Sequence, residues 1–199
     1  MGKSVLSPGS IGLRLYPLLL DLQQHHPDLT IRHRFAPDNE VMDAVLHNRF
    51  EMGLMTQKPD DKRLVAHKFT EEPLELVVPA GTAATKWEDL EALGFIDHPD
   101  GQAMATRLLS RRFPGNTGVR NLPPRGFSNQ ISLILEPVAR GLGFTVLPRF
   151  ARMAFHLQNG IQVIEAGNAL VDSIWLIHRA EWPLSARAKQ ALRWLEAKM

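Results

Sequence analysis

The fold is decided by residues 138–148, which read VARGLGFTVLP. They follow a stretch, 129–142, in which apolar residues recur at helical spacing, so we expect a helix there. Gly141 suits a left-handed C-terminal cap of that helix, and Gly143 lets a strand leave at a sharp angle. Pro148 then stops the strand before it can enter a sheet centre. The segment therefore predicts a helix, a tight turn and a short buried strand.

Strand-like and helix-like patterns alternate on both sides of this segment, which predicts an α/β fold. Strands are expected at 4–6, 29–35, 52–55, 64–69, 74–78, 94–96, 144–147, 161–164 and 173–178, with a short one near Val119. Helices are expected at 11–26, from 38, at 87–93, 102–112, 129–142 and 149–157, and after Pro183. Pro17 either begins the regular part of the first helix or kinks it, and Pro137 should bend the helix at 129–142.

Composition limits the chemistry. The chain has 199 residues, 44% of them apolar, and a formal net charge of +2 without a long basic run. It contains no cysteine, which excludes disulfides, cysteine-based zinc sites, iron–sulfur clusters and cysteine nucleophiles. No signal peptide and no apolar run long enough to span a membrane is visible, so we expect a cytoplasmic protein without membrane contact.

No motif points to catalysis, a metal or a cofactor. The eight histidines lack metal-ligand spacing, and surface or hydrogen-bonded histidine is the favoured interpretation. Gly141 and Gly143 precede a strand and lack a third glycine, so they do not form a nucleotide fingerprint. No nucleophile elbow or triad spacing occurs. We therefore expect no enzyme, no metal and no cofactor.

Polar residues cluster where strands end and helices begin. Open α/β sheets bind ligands outside the carboxyl ends of their strands, and helix N-termini favour anions. The candidates are Ser7, Ser10, Thr56, Gln57, His98, Gln102, Ser128 and Asn129, with Phe127 and Phe144 beside them. Two alternatives stay open: Ser10, Asp100 and Ser128 could be helix caps, and the two phenylalanines could belong to the core.

Several phrases, taken in order, resemble the effector-binding domain of LysR-type transcription regulators. They are Leu15-Tyr16-Pro17 with His26-Pro27-Asp28-Leu29, FEMGL at 50–54, EEPLELV at 71–77, WEDL at 87–90 and VARGLGFTVLP at 138–148. The last is the most specific, and the resemblance covers nearly the whole chain. Glu51 stands where the family usually has aspartate, and Arg140 where a small residue is common.

The resemblance implies two Rossmann-like α/β lobes of the type 2 periplasmic-binding-protein kind. Lobe I would be 1–79 plus 160–199 and lobe II 80–159, with a central cleft and two crossovers acting as hinges. The resemblance also implies that DNA is bound only through the family's N-terminal winged helix-turn-helix, which we expect to be absent from this chain. The resemblance also implies a homodimer, in which the helix at 15–25 meets the helix at 129–142 of the partner.

In the implied function, a small effector binds between the lobes at the ten candidate residues and controls transcription. We expect an organic anion, since His98 can become cationic and only Asp97 and Asp100 are acidic in the expected shell. A solute-binding protein of a transport system is the alternative, and an enzyme of similar architecture is the third. The sequence does not identify the effector, the target promoters or whether transcription rises or falls.

Overall fold

The computed structural model describes residues 2–167 and 169–199. Its strands are β1 Gly2–Ser7, β2 Thr30–Phe35, β3 Met52–Met55, β4 Leu64–Pro79, β5 Phe95–Asp97, β6 Pro124–Phe127, β7 Thr145–Pro148, β8 Ile161–Ile164 and β9 Val171–Arg179. Its helices are α1 Gly9–His25, α2 Asp38–Leu46, α3 Trp87–Leu93, α4 Gly101–Arg112, α5 Leu135–Ala139, α6 Arg149–Met153 and α7 Ala186–Glu196. The predicted α/β fold is confirmed.

The chain forms two compact units. Unit 1 contains the residues up to Glu72 and those from Asp172 onward, and unit 2 contains Pro73–Val171. The sequence instead places the limits after residue 79 and before residue 160. At the first limit, the boundary falls inside β4, which is one unbroken strand of 16 residues. The sequence instead suggests two strands, 64–69 and 74–78, with the boundary at the Pro- and Gly-containing turn after them.

Unit 1 is a sheet with helices on both faces. Its strand order is β2-β1-β3-β9, and β4 follows β9. Strands β1, β2 and β3 run parallel, while β9 is antiparallel to β3. Alternate residues of a strand face opposite sides: a Cβ at Gly53 would lie 2.3 Å from Val41 of α2, whereas Met52 and Leu54 face α1 and α7.

Unit 2 pairs β4 with both β7 and β8, antiparallel in each case, and adds a separate parallel pair, β5 and β6. Phe95 of β5 also forms an isolated bridge with Phe144, just before β7. The core of the unit gathers residues of these strands and of α3 and α4. Its buried members include Leu76, Leu90, Phe95, Leu108, Phe144 and Val146.

The predicted long helix at 129–142 is wrong. Residues 131–133 form a 3-10 turn, and α5 covers only Leu135–Ala139. Pro137 explains the start of α5, because proline has no N–H to donate and therefore fits only the first turn of a helix. The expected C-terminal cap is confirmed: Gly141 has φ of 77°, its N–H donates to Val138, and that of Leu142 donates to Pro137.

Three smaller expectations also change. Helix α1 begins at Gly9 and continues through Pro17, so a helix start at Pro17 is wrong. The expected strand near Val119 is a 3-10 turn over Val119–Asn121. The helix expected at 149–157 ends at Met153. The segment at Val119–Asn121 is only three residues long, and apolar periodicity defines the ends of longer helices poorly.

Candidate functional site

The predicted site residues of unit 1 lie at one edge of its sheet. Ser7 ends β1, Thr56 and Gln57 follow β3, and Ser10 lies in the first turn of α1. Because β1 and β3 are parallel, with Leu6 opposite Gly53, their carboxyl ends share that edge. The structure therefore places these four residues at one edge of the sheet.

Ser7 is fully buried and bonded to a histidine that sequence reasoning treated as isolated. The Ser7 Oγ lies 2.7 Å from Nε2 of His33 on β2. Tyr16 stacks on the His33 ring at 5.3 Å between centroids, and Phe35 meets it edge-on at 4.9 Å. Burial lowers the pKa of His33, which favours the neutral imidazole. The alternation of 29–35 signalled that His33 shares a strand face with Phe35.

Ser10 is not the cap of α1, so that alternative is wrong. The N-cap position is Pro8, and the Ser10 Oγ donates to the Glu72 carboxylate at 2.5 Å. Both side chains are buried. The expectation that only Asp97 and Asp100 are acidic near the candidate residues is therefore also wrong. Sequence spacing could not reveal Glu72, because its contact joins residues 62 positions apart.

Thr56 and Gln57 are held by the start of α2. The Asp38 carboxylate accepts hydrogen bonds from the Thr56 N–H at 3.0 Å, the Thr56 hydroxyl at 2.9 Å and the Gln57 N–H at 3.1 Å. Asp38 lies in the first turn of α2, where the helix dipole favours a negative charge. This cluster fixes the backbone of 56–57 and leaves the side chain of Gln57 exposed.

The predicted residues of unit 2 also meet at a sheet edge. Strands β5 and β6 are parallel, with Asp97 opposite Phe127, so both end there. The Ser128 N–H donates to the Asp97 carbonyl at 3.2 Å, and Gln102 lies in the first turn of α4. Phe127 is 64% exposed, and Gln102 and Asn129 are exposed as well.

Two of the ten candidate residues, His98 and Phe144, are buried in unit 2. His98 is buried, and its Nε2 donates to the Val146 carbonyl at 2.8 Å. Phe144 is completely buried beside Phe95, with 5.4 Å between ring centroids. These contacts give His98 and Phe144 supporting roles in packing. Asp100 occupies the N-cap position of α4, although its side chain makes no cap hydrogen bond. Ser128 precedes Gln130, the N-cap of a 3-10 turn, and its Oγ accepts a hydrogen bond from the Gln130 N–H at 3.2 Å.

Within 2–167 and 169–199, no group of three or more histidine, aspartate or glutamate residues could hold a metal ion. None of the helices formed by these residues is both long and apolar enough to cross a membrane.

The model of the LysR substrate binding domain matches residues 5–199 of this chain. The chain belongs to that family. Its most specific phrase, VARGLGFTVLP, forms α5, the Gly141 cap and β7. This LysR substrate-binding domain is thus of the regulatory type found in LysR-type transcriptional regulators. A search of curated proteins found no match.

Solved structures of LysR-type regulators share the fold of this LysR substrate-binding domain. The reduced regulatory domain of OxyR from Pseudomonas aeruginosa is similar with a TM-score of 0.77 and 19% identity, over 98% of both chains. The CcmR regulatory domain from Synechocystis PCC6803, solved with 2-PG, has a TM-score of 0.73 and 16% identity, over 99% of this chain and 96% of its own.

Full-length regulators extend beyond this LysR substrate-binding domain. CbnR, solved in complex with its target DNA, has a TM-score of 0.70 and 18% identity, over 98% of this chain and 70% of its own. The chain spans 65% of a full-length OxyR variant from Pseudomonas aeruginosa.

Proposed function

We propose that this domain binds a small effector and so controls transcription through a DNA-binding domain elsewhere in a longer cytoplasmic protein. The observation that carries the proposal is the family match over residues 5–199. The polar residues gathered at the carboxyl edge of each sheet support it, since ligands of α/β folds bind at such edges. A solute-binding protein is not favoured, because the matching family consists of regulators.

The proposed role is binding without catalysis. Ser7 and His33 are within hydrogen-bond distance, but Ser7 is fully buried, so its hydroxyl has no access to a substrate. Thiol chemistry is also excluded, because the sequence has no cysteine. The signal is therefore a reversibly bound small molecule. A bound ligand shifts a protein between conformations only by its difference in affinity for them.

We propose a small organic anion as the effector, held mainly by unit 2. The first turn of α4 presents Gln102 and backbone N–H groups at the positive end of a 12-residue helix, and these must outweigh the neighbouring carboxylates of Asp97 and Asp100. The exposed ring of Phe127 lies at the same sheet edge and suits an apolar part of the ligand. In unit 1 the Glu72 carboxylate on Ser10 disfavours a second anion there, so Ser10 suits a hydroxyl or amine group of the ligand.

Calorimetry with carboxylates, amines and neutral sugars tests the ligand class. We expect a carboxylate to bind, Gln102→Ala and Ser128→Ala to weaken it by about tenfold, and Glu72→Gln to leave it equal or tighter. Arg120→Ala, on an exposed residue outside the candidate set, is the control. Binding confined to amines and abolished by Glu72→Gln would replace the anion with a cation. An affinity that is unchanged by all three substitutions would refute the residue assignment.

We further propose that the domain forms a homodimer through α1 and the segment around α5. The sequence suggested surplus leucines on α1, but Leu18, Leu19 and Leu22 are buried. The surplus is Leu20, 40% exposed, with Tyr16, 42% exposed, one turn before it. In unit 2, Leu133 and Leu142 are more than half exposed on either side of α5. Exposed apolar patches of this kind mark interfaces.

Sedimentation of the purified domain tests the dimer. We expect Leu20→Asp and Leu133→Asp each to shift the mass toward the monomer, because a charge would be buried in the interface. Thr106→Asp places the same charge on an exposed position of α4, outside both segments, and should leave the mass unchanged. A monomer for the unaltered domain at high concentration contradicts the proposal.

A further inference from the structure

Unit 1 contains a cavity of about 640 Å³ that none of the candidate effector residues lines. It lies between α1, α7 and one face of the sheet. Its walls are mainly apolar and include Leu15, Leu19, Met52, Leu54, Leu176 and Leu192. It reaches the surface at His25, His26 and Arg187, which are exposed.

The size of this cavity separates it from a packing defect. Protein interiors are close-packed, and few of the voids in them have a volume larger than that of a water molecule. Ligand sites measure about 300–1,000 Å³ and are mostly apolar with a few polar groups. The α1–α7 cavity falls in that range. Water gains little inside it, because alkyl walls offer no hydrogen-bond partners.

We propose that the α1–α7 cavity binds a small monocarboxylate with an apolar body, such as a medium-chain fatty acid. The six wall residues named above carry only alkyl or thioether groups, so the part of the ligand inside must be apolar. The mouth carries Arg187 and two histidines against one acidic residue, Asp28. A carboxylate at the mouth therefore meets favourable charge while it stays in contact with water. This site is separate from the proposed effector site and does not depend on it.

Octanoate is the probe for the body of the ligand. Ala191 lines the cavity and is small, so Ala191→Phe should fill the space from α7. We expect octanoate to bind the unaltered domain with one-to-one stoichiometry in calorimetry, and Ala191→Phe to weaken it by at least about tenfold. Ala186→Phe makes the same change on an exposed residue of α7 outside the cavity and should bind normally.

Octanol is the probe for the charged end. Arg187→Gln removes the cation at the mouth, and we expect octanoate to bind about threefold more weakly, as for a solvent-exposed ion pair. Octanol should bind the two proteins equally. If octanol and octanoate respond alike to Arg187→Gln, the assignment of the carboxylate end is overturned.

An NMR spectrum of the methionine methyl groups locates bound octanoate without any substitution. Met52 lines the cavity, while Met42, Met104 and Met153 do not. Saturating octanoate should shift the Met52 methyl resonance and leave those three in place. Absence of saturable binding, or binding with an unmoved Met52, overturns the proposal. Loss of octanoate binding in Ser128→Ala, with Ala191→Phe normal, would assign octanoate to the effector site instead, so the two proposals fail separately.

Discussion

Replacing Glu75 with glutamine should destabilise the domain by about 3 kcal/mol. The side chain of Glu75 is only 6% exposed and accepts hydrogen bonds from two arginines. Arg152 donates through Nε at 2.7 Å and Nη2 at 3.0 Å, and Arg149 through Nε at 2.8 Å. Glutamine keeps the shape but removes the charge and turns an NH₂ group toward donors, so buried bonds are lost without replacement.

The magnitude follows from the exposure of each partner. A hydrogen bond to a charged group contributes about 1.5–3 kcal/mol. The side chain of Arg152 is 21% exposed and its two bonds dominate, whereas that of Arg149 is 43% exposed, so water reduces its share. Glutamine still accepts one bond, which leaves a net loss near the value given. For a chain of this size, about 3 kcal/mol lowers the melting temperature by roughly 6–12 °C.

Urea unfolding at neutral pH measures the loss, and Glu71→Gln is the matched control on the same strand. Glu71 pairs with Lys68, and their side chains are 55% and 49% exposed, so its substitution should cost less than about 0.5 kcal/mol. A cost for Glu75→Gln no larger than that of Glu71→Gln would refute the assignment of a stabilising buried cluster.

The same substitution predicts a dependence on pH. Burial acts to raise the pKa of Glu75, but hydrogen bonds and charge from Arg152 and Arg149 outweigh it, so the pKa lies below the ordinary value of 4.5. A carboxylate with a lowered pKa stabilises the fold above pH 4.5, and this stabilisation is lost as the pH falls through the lowered value. The two proteins should therefore converge in stability in acid. A difference that persists unchanged there contradicts the electrostatic cause.

Three further substitutions or titrations test other features. Gly141→Ala should cost about 1–2 kcal/mol in urea unfolding, because alanine is strained at a φ of 77°; an unchanged midpoint would contradict the cap. Gly12→Ala should cost about 1–3 kcal/mol, since its Cβ would lie 2.4 Å from the Phe35 ring, and wild-type stability would show that Phe35 moves freely. An NMR titration should place the pKa of His33 below 6.5, and stability should fall as the pH drops from 6.5 through that lowered value, because the unfolded chain binds the proton more readily. A His33 pKa at or above 6.5 would contradict its burial.

The fold was predictable where one chemical cause acted locally. Gly141 and Pro148 marked a helix end and a strand end from their own backbone preferences, and the structure confirms both. The helix at 129–142 was wrong because apolar spacing is compatible with α-helix, 3-10 turn and bend alike, and Pro137 decided among them. Strand β4 was divided in two because its middle residues, 70–73, are polar residues and a proline between two apolar stretches.

The candidate site was predictable only in outline. Parallel strands bring their carboxyl ends to one edge, so Ser7 and Thr56 could be grouped from the order of elements alone. Their actual partners, His33 and Asp38, depend on register and side-chain direction, which spacing does not contain. Glu72 was missed for the same reason, and its carboxylate changes the expected chemistry at Ser10.

The division of the chain also sets the order in which the domain can be completed during synthesis. Unit 2 is one continuous stretch, Pro73–Val171, and all of its strands have been made once β8 and the residues up to 171 have left the ribosome. Unit 1 must wait for its last residues, because β3 pairs with β9 and α1 packs on α7. Until then the apolar faces of β1, β3 and α1 stay uncovered, so these elements are the part of the nascent domain most prone to aggregate.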